Sequence, residues 1–175
     1  IRYSVMYRKF LLDDIKVFVF DFDGVLTNNL VYLNSNGEEI VSCSRADGLA
    51  FDVLHKLEKP AYIISTEKNL VVAARAKKLK IPALYGVVDK VETLKDLANT
   101  KGYNLQNILY VGNDLNDYLA MQLCGYSACP ADSHSKIQEI SNEILNTSGG
   151  EGIVRELLED VLGLDFIKIL YKVNT

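Results

Sequence analysis

Residues 15–27 read Ile15-Lys16-Val17-Phe18-Val19-Phe20-Asp21-Phe22-Asp23-Gly24-Val25-Leu26-Thr27. The run 15–20 is short, apolar on both faces and ends in acid, the pattern of a strand covered on both sides in a parallel sheet. Ala61–Ile64, residues 83–85, Ile108–Val111 and Tyr126–Cys129 repeat it. Helical periodicity fills 47–58, 69–79, 89–101, 115–124, 134–140 and 151 to about 162. This alternation predicts the α/β class: a three-layer, doubly wound parallel sheet with right-handed crossovers. Such sheets bind ligands at the carboxyl ends of their strands, and most of the polar residues singled out below follow strands directly.

One stretch interrupts the rhythm. Residues 30–33 and 38–41 flank Asn34-Ser35-Asn36-Gly37, and Asn-Gly between extended runs predicts a hairpin because both residues tolerate positive φ. The hairpin leaves the first strand's acidic end, so it is expected to stand over the site as a flap, about 30–41. No repeat and no Gly/Ser-rich or Pro-rich linker divides the chain, which holds only 3 prolines. A single domain over 1–175 is expected, ending in a tail from about 163.

A chain of 175 residues can bury a sizeable core. Its net charge of -4 offers no basic field to a nucleic-acid backbone. No apolar run approaches the ~20 residues of a membrane span. The opening IRYSVMYRKFLLDD has no long apolar core and no small-residue cleavage site, so no signal peptide is expected. Cys43, Cys124 and Cys129 are odd in number and lack C-x-x-C spacing, which points to reduced thiols and a cytoplasmic location. Cys124 and Cys129 read as small buried hydrophobes, and neither His55 nor His134 completes a metal spacing with the cysteines.

Chemistry concentrates at strand ends. Asp21 and Asp23 are two carboxylates at i and i+2, with a turn at Gly24 that lets their roles differ. One acid held ionised against a metal can attack phosphorus. The other can protonate a leaving oxygen and later deprotonate water. Alone, the pair would read as a solvated turn. Ser65 and Thr66 end the second strand and offer a hydroxyl and N–H groups to phosphate oxygens, although a helix cap is the plainer reading. Lys90, near a helix start, can balance phosphate charge, although a lone lysine is usually just solvated. Gly112-Asn113-Asp114-Leu115-Asn116-Asp117 clusters oxygen donors that suit Mg²⁺, and a capped turn accounts poorly for the whole cluster.

Together DFDGVLT, Ser65, Lys90 and GNDLND resemble the four motifs of the haloacid dehalogenase superfamily. The flap, Val87-Val88-Asp89-Lys90 and Ser148-Gly149-Gly150-Glu151-Gly152-Ile153-Val154-Arg155-Glu156 resemble its capless branch over nearly 15–165. That branch holds 3-deoxy-manno-octulosonate 8-phosphate and 2-keto-3-deoxy-nonulosonate 9-phosphate phosphatases, and phosphatase-like domains of N-acylneuraminate cytidylyltransferases. The resemblance implies a Rossmann-like fold without a cap domain and a Mg²⁺-dependent sugar-acid phosphatase working through an aspartyl phosphate. It implies Asp21 as nucleophile, Asp23 as general acid and base, and Ser65 and Lys90 as holders of the phosphoryl group. Asp21, Asp23, Asn113, Asp114 and Asp117 are the implied metal residues, and Gly24 and Thr66 the implied substrate neighbours. It also implies a homotetramer whose flaps meet centrally.

Thr66-Glu67 stands where octulosonate enzymes usually carry Gly-Arg, which resembles the nine-carbon enzymes. Arg75 and Lys78, one helical face apart, are then expected to bind the substrate carboxylate and Glu67 its hydroxyls. A solvated basic helix face is the plainer alternative. One departure is Asn113, where the family has an aspartate: it removes a negative charge from the cation site. It motivates a competing reading, a catalytically silent oligomerisation domain associated with a cytidylyltransferase. The retained Asp21, Asp23, Ser65 and Lys90 favour the enzyme. A mutase is disfavoured because no cap would hold its intermediate.

Overall fold

A computed structural model of the chain describes residues 11–173, so the readings of residues 1–10 and of the end of the expected tail lie outside the described residues. Strands β1 (Val17–Phe20), β4 (Ala61–Ile64), β5 (Ala83–Leu84), β6 (Ile108–Val111), β7 (Tyr126–Cys129) and β8 (Glu143–Ile144) form one sheet in the order β5-β4-β1-β6-β7-β8. Every pairing in it is parallel. The separate hairpin pairs β2 (Tyr32–Leu33) with β3 (Glu39–Ile40).

All four residues of β1, β4, β6 and β7 are buried, as a doubly covered sheet requires. The period of two sorts them between two cores. Phe18, Phe20, Ile63, Leu109 and Val111 face the layer of α1 (Arg45–Lys56), α2 (Val71–Leu79), α6 (Ile153–Glu156) and α7 (Phe166–Tyr171). Val17, Val19, Ile64, Ile108 and Tyr110 face the layer of α3 (Lys90–Lys101), α4 (Tyr118–Leu123) and α5 (Ser135–Ile140). The chain builds outward from β1 through β4 to β5, then crosses back to β6 on the other flank. β1 therefore borders the topological switch point, where a crevice opens beyond the strand ends.

Local chemistry sets the element ends. Ser44 Oγ accepts from Ala46 N at 3.1 Å and starts α1. Asp89 accepts from the N–H groups of Val91 and Glu92 and starts α3, which Gly102 ends at φ 71°. The expected helix 115–124 splits into a 3₁₀ turn, Leu115–Asp117, followed by α4. The helix expected over 151–162 is α6 continued by a wider turn, Leu157–Val161.

The flap is shorter than expected, two paired residues per strand, and its base closes at a Thr27–Cys43 bridge. Only Gly37 of its Asn-Gly pair takes positive φ. Asn34 makes the turn instead, its Oδ1 accepting from Asn36 N and Glu38 N at 2.9 and 3.0 Å. A strand and an α-helix were not expected: β8, and α7 within the stretch read as a tail.

Candidate active site

Asp21 follows β1, buried, with its N–H on the Val111 carbonyl. Its Oδ1 accepts from Phe22 N at 2.7 Å and lies 2.9 Å from Lys90 Nζ. Lys90, the first residue of α3, spans from there to Asp117 Oδ1 at 2.7 Å. Burial, and then the neighbouring Asp117, push the Asp21 carboxyl well above its ordinary range, while Lys90 opposes them. Burial alone would lower the Lys90 ammonium's proton affinity, but Asp21 and Asp117 overcome it and hold the charge.

Asp117 is fully buried beneath this pair. Tyr110 OH also donates to its Oδ1, and the Asn113 and Asp114 N–H groups donate to Oδ2. Four donors thus occupy its two oxygens, and it does not face the cavity. Asp117, expected among the metal residues, holds Lys90 here. Gly112 makes the fit possible, because a side-chain carbon there would lie 2.6 Å from Asp117 Cβ.

A cavity of about 300 Å³ opens above, lined by Asp21, Asp23, Asn29, Ser65, Thr66, Asn113, Asp114 and Asn116. Asp23 is half-buried, and burial, then Glu67 and Glu39, raise its proton affinity against Lys90 and the Thr27 hydroxyl. A carboxyl inclined to keep its proton suits a general acid. Ser65 is buried with its Oγ accepting from Glu67 N at 3.1 Å. Thr66 Oγ1 accepts from Asn116 Nδ2 at 3.5 Å.

The Asn113 amide faces Asp21 and Asp23. With nitrogen inward it donates to Asp21 Oδ2 at 3.2 Å and to the Asp23 carbonyl at 2.9 Å. With oxygen inward it would face the same two oxygens, which only a cation between them would favour. Among the described residues no three His, Cys, Asp or Glu side chains form a metal cluster. The converging oxygens come instead from a carboxylate, a main-chain carbonyl and an amide, a hard donor set that fits Mg²⁺. Asp114 stands at the rim with Oδ1 accepting from Leu115 N at 2.7 Å.

Other expected residues fall elsewhere. Gly24 turns the chain at φ 80° with its N–H on Thr27 Oγ1, and a side chain there would run into the Asn113 amide. It shapes the wall without lining the cavity. Glu67 approaches Asp23 closely enough to raise its proton affinity, but its Oε1 accepts from Asn69 N at 2.7 Å and it does not line the cavity. Arg75 and Lys78 are not brought to this cavity either. They line a different groove with Arg45 and Asp52, and Arg75 donates to the Ser44 carbonyl at 2.8 Å. The helical spacing that paired them is real, but that face of α2 turns toward α1. The sequence reading missed Asn29 as a lining residue, whereas Asn116 belongs to the oxygen-donor cluster it named. Asn29 sits at φ 67°, a conformation asparagine tolerates, and an Asn-Asn pair directly after DFDGVLT is the signal that could have found it.

Residues 67–157 match the family described as haloacid dehalogenase-like hydrolase. The 3-deoxy-D-manno-octulosonate 8-phosphate phosphatase KdsC of Escherichia coli (strain K12) is 31% identical over 151 residues, 86% of this chain and 80% of that protein. A HAD family hydrolase from Streptomyces avermitilis MA-4680 superposes with TM-score 0.88 at 38% identity, covering 91% of this chain and 98% of that one. The 3-deoxy-D-manno-octulosonate 8-phosphate phosphatase of Moraxella catarrhalis, solved with magnesium, phosphate and KDO, has TM-score 0.83 and 31% identity over 90% of both chains. The chain belongs to the haloacid dehalogenase-like hydrolases, in their capless branch.

Proposed function

We propose that this chain is a Mg²⁺-dependent phosphatase of 2-keto-3-deoxy sugar-acid phosphates, working through a phosphoryl-Asp21 intermediate. The observation that carries the proposal is the Asp21 carboxylate at the cavity floor, with Lys90 on one oxygen and the Asp23–Asn113 oxygen cluster on the other. Asp21 Oδ2, the Asp23 carbonyl and the Asn113 amide oxygen would hold Mg²⁺, with Asp114 at the rim; bound there, the ion keeps Asp21 ionised and neutralises phosphate charge. Asp21 attacks phosphorus while Asp23 gives its proton to the leaving sugar oxygen. Asp23 then takes a proton from the water that cleaves the acyl phosphate. Lys90 and Ser65 steady the phosphoryl oxygens, and Asp117 fixes Lys90.

Relatives named for octulosonate 8-phosphate make it the first substrate to test, and Thr66-Glu67 favours nonulosonate 9-phosphate as its rival. The test is phosphate release from both, with and without Mg²⁺, by wild type and Asp21→Asn. Wild-type release lost in Asp21→Asn by about a thousandfold or more is expected. No release from either compound by wild type would overturn the reading.

The exposed apolar flap, Leu30, Tyr32, Leu33 and Ile40, supports a homotetramer in which neighbours cover the open cavity. The three free thiols support a reducing compartment such as the cytoplasm. No helix among the described residues is long and apolar enough to cross a membrane. The nitrogen-inward setting of Asn113 favours one second reading, a silent assembly domain. That reading predicts no Mg²⁺-induced rise in melting temperature for wild type and a rise once Asn113→Asp is made.

A further inference from the structure

Gly149 and Gly150 run directly against the turn that carries Asp23. Gly150 N donates to the Val25 carbonyl at 3.0 Å. A side-chain carbon on Gly149 would collide with the Gly24 carbonyl, and one on Gly150 would lie 2.5 Å from Asn28 N. Two backbones thus meet with no room between them, and residues 24–28 rest on this segment.

The segment is held in turn by acceptors from separate stretches of chain. Asp132 Oδ1 accepts from Gly149 N at 2.9 Å. Glu156, buried on α6, accepts from Asn146 N and Thr147 N at 2.8 Å each and from Asn146 Nδ2 at 3.0 Å. Burial would raise the Glu156 proton affinity, but these hydrogen bonds outweigh it and keep the carboxylate charged. Neither Asp132 nor Glu156 lines the cavity.

We propose that Glu156 and Asp132 are positioning residues for the general acid: by fixing residues 146–150 they fix the bed on which the Asp23 turn lies. The inference rests on the role proposed above for Asp23. It concerns Asp23 rather than Asp21, because Asp21 is anchored independently by Val111 and Lys90. A loosened bed moves the acid relative to the leaving oxygen while the nucleophile stays in place, and acid catalysis depends steeply on that reach.

The test uses two substrates of different leaving group. A sugar-acid phosphate releases a primary alkoxide that needs a proton, whereas p-nitrophenyl phosphate releases a phenolate that does not. Their kcat/KM values cover only the steps through phosphoryl transfer. For Glu156→Gln and Asp132→Ala we expect a loss of about tenfold on octulosonate 8-phosphate and of less than about twofold on p-nitrophenyl phosphate. Parallel loss on both substrates, or loss on neither, would overturn the proposal. Asp132 is exposed, so Asp132→Ala decides the matter even if Glu156→Gln fails to fold. Wild type inactive on both substrates would instead overturn the phosphatase reading, and this inference with it.

Discussion

Lys90 keeps its charge because two buried carboxylates, Asp21 and Asp117, face it at 2.9 and 2.7 Å. Removing it leaves like charges confronted out of water, so Lys90→Ala should cost about 3–5 kcal/mol in urea unfolding as well as activity. Asp47 is a different buried acid. It accepts from Val154 N at 2.9 Å, its other oxygen has no partner among the described residues, and burial lifts its carboxyl to about 6 against hydrogen bonds from Val154 and Arg155 and the charges of Arg75 and Arg155. Between 3.8 and about 6 the folded chain therefore binds more protons than the unfolded one. Stability falls as pH rises through that window, by at most about 3 kcal/mol. Asp47→Asn keeps an acceptor for Val154 and drops the charge. It should melt higher than wild type at pH 7.5, with the gain vanishing near pH 4; an equal offset at both pH values would refute this. The sequence carried Asp21, Asp23, Ser65 and Lys90 legibly, because each directly follows a strand or opens a helix. It did not carry Asp117's inward turn, which depends on Gly112 leaving space beneath it.

At the scale of elements, buried strands were legible because continuous apolar runs have few other homes. β8 escaped because two residues, Glu143 and Ile144, carry no period. α7 escaped because its helix is short and only Phe166 among its residues is fully buried. Asp165 starts it by accepting from Lys168 N at 3.0 Å, and the Arg155 guanidinium lies 5.1 Å from the Phe166 ring centre. Phe166 is the helix's most buried anchor, with Ile169 and Leu170 packed beside it, so Phe166→Ala should cost about 3–5 kcal/mol in urea unfolding. A loss below about 1 kcal/mol would mean that α7 is held by something else. The pairing of Arg75 with Lys78 shows the opposite limit. Spacing put them on one face of α2, but which way that face turns is set by packing against α1, and no local pattern encodes it.

At the scale of the whole molecule, the cavity of Asp21 and Asp23 stands open in a chain that also carries an apolar flap. In the hairpin Tyr32 lies opposite Ile40 and both are exposed, an apolar pair with nothing among the described residues to cover it. Replacing the pair by Tyr32→Glu and Ile40→Lys keeps a cross-strand attraction, so the hairpin persists while its apolar face is lost. If copies of the chain meet as a tetramer through that face, light scattering should show wild type at about four chain masses and the double variant as smaller species. The phosphate-holding groups lie within one chain, so p-nitrophenyl phosphate turnover should stay within about threefold. Turnover of the sugar-acid phosphate, whose body extends beyond that site, should fall by about tenfold or more as the covering neighbour is lost. An unchanged mass in the double variant would assign the assembly to another surface and leave the flap as a device of the single chain.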